Sequence, residues 1–155
     1  SSLLTPFTQS SSHFTSLVAD CTAGTFSYST GATSASTCTT CPKGSYSGSP
    51  SSSSCTTCPA GRFNADDATS LTLHNSLSTC LVCAAGKINV DPATDPSQHH
   101  SCTACPLGKK NEYTDSDPTK HSSPDDCELC TPGTYSNDLG GATSCQGENG
   151  REANA

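Results

Sequence analysis

Apolar positions are sparse along this chain and keep step with cysteine rather than with a helical or strand period. Twelve cysteines stand at positions 21, 38, 41, 55, 58, 80, 83, 102, 105, 127, 130 and 145. Read from Cys21, Cys41, Cys58, Cys83, Cys105 and Cys130, every opening cysteine has glycine three residues later: Gly24, Gly44, Gly61, Gly86, Gly108 and Gly133. Five residues after the opening cysteine come Phe26, Tyr46, Phe63, Ile88, Lys110 and Tyr135, apolar or aromatic in five of the six units. In the fifth unit Tyr113, three residues beyond Lys110, is the expected substitute. A self-similar unit of this kind decides architecture before local propensity does. Cys-x-x-Gly, with proline second in "CPKG", "CPAG" and "CPLG", predicts a tight turn. Proline fixes its own φ, and glycine takes a positive φ without steric cost. The chain then turns back sharply, and the aromatic at plus five is placed to cover a cystine as the small apolar cluster of its module. The prediction is a small disulfide-rich protein, an elongated tandem array of six modules with short β-hairpins and little helix.

The ends break the pattern. Residues 1–20 lack cysteine yet hold Leu3, Leu4, Phe7, Phe14, Leu17 and Val18, a third of the chain's 18 Leu, Ile, Val and Phe residues. Pro6 and the polar stretch from Gln9 to His13 argue against one helix, so this arm reads as two short extended pieces. At the other end Glu148 stands where another opening cysteine would fall, and residues 146–155 form a polar tail. The chain opens on Ser1 with no signal sequence, so the expectation is a mature or clipped product. No apolar run approaches the ~18 residues of a membrane span.

Composition sharpens this picture. Leu, Ile, Val and Phe make up 18 of 155 residues, Ser and Thr 49, and mean hydropathy is -0.45. Such a chain cannot bury a conventional core and alone would read as disordered. Twelve cysteines change the class. Cross-links restrict the unfolded ensemble where a core is missing, and they persist in oxidising compartments, so an extracellular or cell-surface protein is expected.

The segments "CTAGTFSYSTGATSASTCTTC", "CPKGSYSGSPSSSSCTTC", "CPAGRF", "CPLGKK" and "CTPGTYSNDLGGATSC" carry a resemblance. The unit resembles the single-disulfide Cys-rich module of the tumour necrosis factor receptor and ephrin-receptor-like class, found in tandem also in protist surface antigens. It covers residues 21–145. The resemblance implies sequential pairing: Cys21 with Cys38, Cys41 with Cys55, Cys58 with Cys80, Cys83 with Cys102, Cys105 with Cys127, and Cys130 with Cys145. The modules are then 21–38, 41–55, 58–80, 83–102, 105–127 and 130–145. The interlocked cysteine pairs that follow this module in the receptors have no counterpart here, which points toward the monotonous arrays of surface and matrix proteins.

Rival chemistries fit less well. Two Cys-x-x-Cys pairs can make a four-thiolate zinc site, and the gap between Cys83 and Cys102 suits one. Five such pairs nevertheless leave one over and strand Cys21 and Cys145, whereas the shifted unit uses all twelve. Net charge is -7, with 14 acidic against seven basic residues, which opposes nucleic-acid binding. No strand and helix pattern of a thioredoxin kind surrounds any Cys-x-x-Cys. His99 and His100 read as loop histidines, and "DSDPTK", from Asp115, lacks the glycine of a calcium loop. Asp66 with Asp67, Asp91 with Asp95, and Asp125 with Asp126 read as solvated turn acids, with weak calcium sites as the alternative. No G-x-S-x-G turn occurs, and the expectation is that the protein is no enzyme, with no cofactor and no metal.

The loop "SGSPSSSS" and its flanking threonines have the composition of O-glycosylated stalks, whereas no N-x-[ST] sequon occurs. Thr39, Thr40, Ser51, Ser52, Ser53, Ser54, Thr56 and Thr57 are the candidate O-glycan sites, with plain soluble filler as the alternative. An apolar arm beside a repeat rod leads to the functional expectation: an extracellular structural protein, self-assembling as subunit of a filament, flagellar hair or surface coat. The alternative is a receptor-like ectodomain that binds a protein or glycan.

Overall fold

A computed structural model describes residues 21–29, 35–114 and 117–147. The arm residues Leu3, Leu4, Phe7, Phe14, Leu17 and Val18, together with Asp115 and residues 148–155, lie outside the described residues. The described chain is an array of six antiparallel two-stranded hairpins, each crossed by a disulfide, with 3-10 turns as its only helix. In chain order the pairs are β1 (Thr25–Phe26) with β2 (Thr39–Thr40), β3 (Ser45–Tyr46) with β4 (Thr56–Thr57), and β5 (Arg62–Phe63) with β6 (Leu81–Val82). Then follow β7 (Lys87–Ile88) with β8 (Thr103–Ala104), β9 (Lys109–Lys110) with β10 (Glu128–Leu129), and β11 (Thr134–Tyr135) with β12 (Gln146–Gly147).

The register explains the spacing of the cysteines. The residue five after each opening cysteine pairs with the residue just after the closing one, as Phe26 pairs with Thr39 and Ile88 with Thr103. The two residues inside each Cys-x-x-Cys are therefore a strand, which completes one hairpin before the next module opens. The disulfides join Cys21 to Cys38, Cys41 to Cys55, Cys58 to Cys80, Cys83 to Cys102, Cys105 to Cys127 and Cys130 to Cys145, with Cα separations of 5.5–5.8 Å. No cysteine is free, and every Cys-x-x-Cys is shared between two disulfides.

The glycine at plus three sits third in a four-residue turn. The amide after it donates back to the carbonyl of the residue that follows the opening cysteine, as Ser45 N–H does to Pro42 at 3.2 Å. Gly44 and Gly61 have φ of 75°, and all six glycines are positive, the conformation that a type II turn demands at its third residue.

The interior is cystine and polar. Cys21, Cys41, Cys58, Cys80, Cys83, Cys105 and Cys127 are buried, but Ile88 is the only Leu, Ile, Val or Phe buried among the described residues. Ile88 packs against Cys105 and Cys127, the disulfide of the following module. The other residues at plus five are half-buried, except Tyr135, which is exposed. Lys110 takes this place in the fifth unit because the opposite strand supplies charge: it faces Glu128 across the hairpin, and its Nζ donates to Glu112 at 2.7 Å. Tyr113 lies under Lys120 Nζ, 5.0 Å from the ring centre.

Candidate functional site: the junctions between modules

The residues that bring modules together are the turn glycines and the residue six after each opening cysteine: Ser27, Ser47, Asn64, Asn89, Asn111 and Ser136, all buried. The N–H of each of the first five glycines donates to the plus-six carbonyl of the following module: Gly24 to Ser47, Gly44 to Asn64, Gly61 to Asn89, Gly86 to Asn111 and Gly108 to Ser136, at 2.8–3.0 Å. The first five plus-six N–H groups donate onward in turn: Ser27 to Ser52, Ser47 to His74, Asn64 to His99, Asn89 to His121 and Asn111 to Ala142, at 2.8–3.0 Å. One backbone position per module thus accepts from the module before it and donates to the module after it. These bonds satisfy main-chain groups that would be costly to leave unpaired once buried.

A second contact skips a module. A Cβ built on Gly24 would lie 2.1 Å from the Leu71 carbonyl oxygen, on Gly44 1.9 Å from Pro96, on Gly61 2.1 Å from Pro118 and on Gly86 2.1 Å from Gly141. Module one therefore touches module three, and so on to modules four and six. Glycine is required here twice over, for its turn and for this approach.

Three histidines plug the long loops. His74, His99 and His121 are fully buried, each ten residues beyond its module's Asn64, Asn89 or Asn111. The Asn side chain bridges its own loop: in Asn64 the Nδ2 donates to the Leu73 carbonyl at 2.7 Å, and Oδ1 accepts from the Asp66 amide at 3.1 Å. The histidine Nδ1–H reaches back to the preceding module, to the carbonyls of Ser45 at 2.7 Å, Arg62 at 3.2 Å and Lys87 at 2.8 Å respectively. Nε2 of His74 meets the Asp66 carboxylate at 3.0 Å, and that of His99 meets Asp91 at 2.9 Å. For His121 the partner is the Thr114 carbonyl at 3.3 Å. Both ring nitrogens thus face acceptors in all three. The hydrogen bond from His99, with those of Thr94 and the Asp95 amide, holds the Asp91 carboxyl down at about 2. That of Asp66 is lowered by the Thr69 hydroxyl first, then by the Ser70 amide and His74.

His99, read from sequence as a plain loop residue, is therefore a junction residue, and His100 beside it is exposed. Of the paired acids, Asp66, Asp91, Asp95 and Asp126 have local partners. Asp95 and Asp117 cap 3-10 turns, and Asp126 accepts from the Ser122 and Ser123 amides. Among the described residues no cluster of three or more His, Cys, Asp or Glu is placed to share a metal ion. Of the glycan candidates, Thr39, Ser53, Ser54 and Thr56 are exposed, while Thr40, Ser51 and Thr57 are half-buried. Ser52, also half-buried, is engaged: its hydroxyl accepts from Ser47 and donates to the Ser49 carbonyl. No helix among the described residues is long and apolar enough to cross a membrane. Compared with protein-family models and with curated proteins, the chain matches none.

The ten-residue spacing from Asn to His, present in the third, fourth and fifth modules and absent where plus six is serine, was a signal in the sequence. Its physical sense is loop length. These modules close loops with sequence separations of 22, 19 and 22, against 14 and 15 in the second and sixth. Only a long loop leaves room for an imidazole.

Proposed function

We propose that the chain is an extracellular structural protein, a disulfide-stapled rod that serves as subunit of a filament, flagellar hair or surface coat. The observation that supports this reading is the junction itself. Every module is joined to the next by the same two backbone hydrogen bonds, with little demand on side-chain identity. A repeat array of this kind is held by contacts that recur between modules one and two places apart, so each added module repeats them. The hairpin crossed by a single disulfide supports the likeness to the Cys-rich modules of receptors and surface antigens, and the disulfides fit an oxidising compartment. On this reading the apolar arm of residues 1–20 engages a neighbouring subunit, and O-glycans sit on the exposed Thr39, Ser53, Ser54 and Thr56. Deleting residues 1–20 is expected to abolish assembly while all six disulfides form; assembly that proceeds unchanged would remove the arm from the account. An intact mass equal to that of the bare chain, taken on native material, would remove the sugars.

One observation favours the alternative, a ligand-binding ectodomain. An open groove of about 500 Å³ crosses from the fourth module to the fifth, lined by Ile88, Val90, Pro92, Thr103 and Pro124. Saturable binding of a protein or glycan that Val90→Asp abolishes would support that reading over the structural one.

A further inference from the structure

The third module carries a surface that its sister modules lack. In modules three, four and five the same 3-10 turn precedes the buried histidine, and the amides of Leu73, Gln98 and Lys120 donate to the carbonyls of Ser70, Asp95 and Asp117 at 3.0–3.2 Å. Pro96 and Pro118 stand where module three has Leu71. Pro124 of module five stands where it has Leu77, and Thr103 and Glu128 stand where it has Leu81. The fold thus makes no demand for leucine at any of these four places, yet all four are leucine, and they are 44–58% exposed. An open cleft of about 420 Å³ adjoins Leu81, lined with it by Phe63, Ser78, Val82 and Ala84. Its charged residue, Arg62, donates from a guanidinium nitrogen to the Cys80 carbonyl at 2.8 Å. Single exposed leucines are ordinary, whereas a concentration of them marks an interaction surface.

We propose that this leucine face docks residues 1–20 of a neighbouring copy of the chain. The inference rests on the filament reading, in which the arm engages another subunit, and deepens it by naming the face that receives it. Composition selects the occupant. Of the chain's 18 Leu, Ile, Val and Phe residues, six lie in the arm and six in residues 63–82, and the remaining six are spread from Phe26 to Leu139. The arm is therefore the one other concentration of apolar residues that the chain offers. Charge agrees with this choice. Residues 1–19 and 68–86 both lack Asp, Glu, Lys and Arg in a chain of net charge -7, so neither side leaves an ion unpaired when water is excluded. Twenty residues reach about 65 Å when extended, enough to leave one subunit at Cys21 and lie on the next.

The test places benzoylphenylalanine, a photoreactive residue, in place of Phe14 of the full, oxidised chain and mixes unlabelled with isotope-labelled copies, so that a cross-link between copies carries a mass signature. Under assembly conditions the cross-links are expected to run from position 14 to residues 70–82 of a copy with the other label. In the double variant Leu73→Lys, Leu81→Glu they are expected to fall about a hundredfold at subsaturating concentration, each buried leucine contributing about tenfold or more to association. Lys120 and Glu128 hold the equivalent places in module five, so the variant keeps its turn and hairpin, which six disulfides by mass and an unchanged circular dichroism spectrum verify. Leu139→Glu, at an exposed site in the sixth module, should cross-link like wild type. Cross-links that map elsewhere, stay within one copy or survive the double variant undiminished would overturn the docking face, and polymers seen in the same sample would leave the filament reading standing. A chain that stays monomeric and forms no cross-link between copies would overturn both.

Discussion

Alanine in place of Gly61 and of Gly108 separates turn strain from module stacking. Both glycines lie in the same kind of turn, with φ of 75° and 77°, so alanine is penalised about equally at each, by about 1–2 kcal/mol. At Gly61 the new methyl would stand 2.1 Å from the Pro118 oxygen and 2.9 Å from its carbon; at Gly108 it would meet nothing within 4 Å among the described residues. Pro118 cannot yield freely, because its carbonyl accepts from the His121 amide at 3.1 Å and its turn carries that buried histidine. Overpacking of this kind costs about 1–3 kcal/mol. Gly61→Ala should therefore destabilise by about 2–5 kcal/mol, and Gly108→Ala by only the strain common to both. Arrays need not unfold in one step, so the assay is native-state hydrogen exchange with disulfides intact, read at the Asn64 and Asn89 amides that span the affected junctions. Faster exchange in Gly61→Ala but not in Gly108→Ala is the expected result. Equal losses from the two variants would refute the stacking contact and leave the glycines as turn residues only.

Three further outcomes follow from the junction chemistry. His121→Ala removes a fully buried ring and strands the Lys87 carbonyl, and should cost about 3 kcal/mol by thermal or chemical unfolding. Ala142→Ser should stabilise by about 1 kcal/mol: the buried Ser136 hydroxyl has no partner among the described residues, and residue 142 occupies the place where Ser52 answers Ser47 in the second module. Because the Asp91 carboxyl is depressed to about 2 in the fold, its contribution is present above about pH 4 and lost as pH falls from about 4 toward 2. Asp91→Asn should flatten that acid limb of a melting-temperature profile, and an unchanged limb would contradict the His99 contact.

Much of the array was legible because covalent geometry writes itself into spacing. Six glycines at plus three declared six turns, and the turn chemistry of Gly44 or Gly61 follows from glycine's freedom alone. The junctions were harder to read. Their hydrogen bonds run through main chain, so Ser47 and Asn64 serve the same backbone role and leave no shared side-chain signature. Ile88 packs on Cys105 and Cys127 of the following module, a contact across the junction that the plus-five spacing does not reveal. His99 read as an ordinary loop histidine in a serine-rich chain. Its burial depends on a loop folding back onto Arg62 of another module, a contact 37 residues away that no local window contains.

The most direct test of the central claim is electron microscopy of native, unreduced material. The account predicts filaments or sheets with a regular axial repeat, built from subunits stacked end to end. Isolated short rods, persisting at high concentration, would contradict it and direct attention to the groove at Ile88 and Pro124 as the site of a ligand.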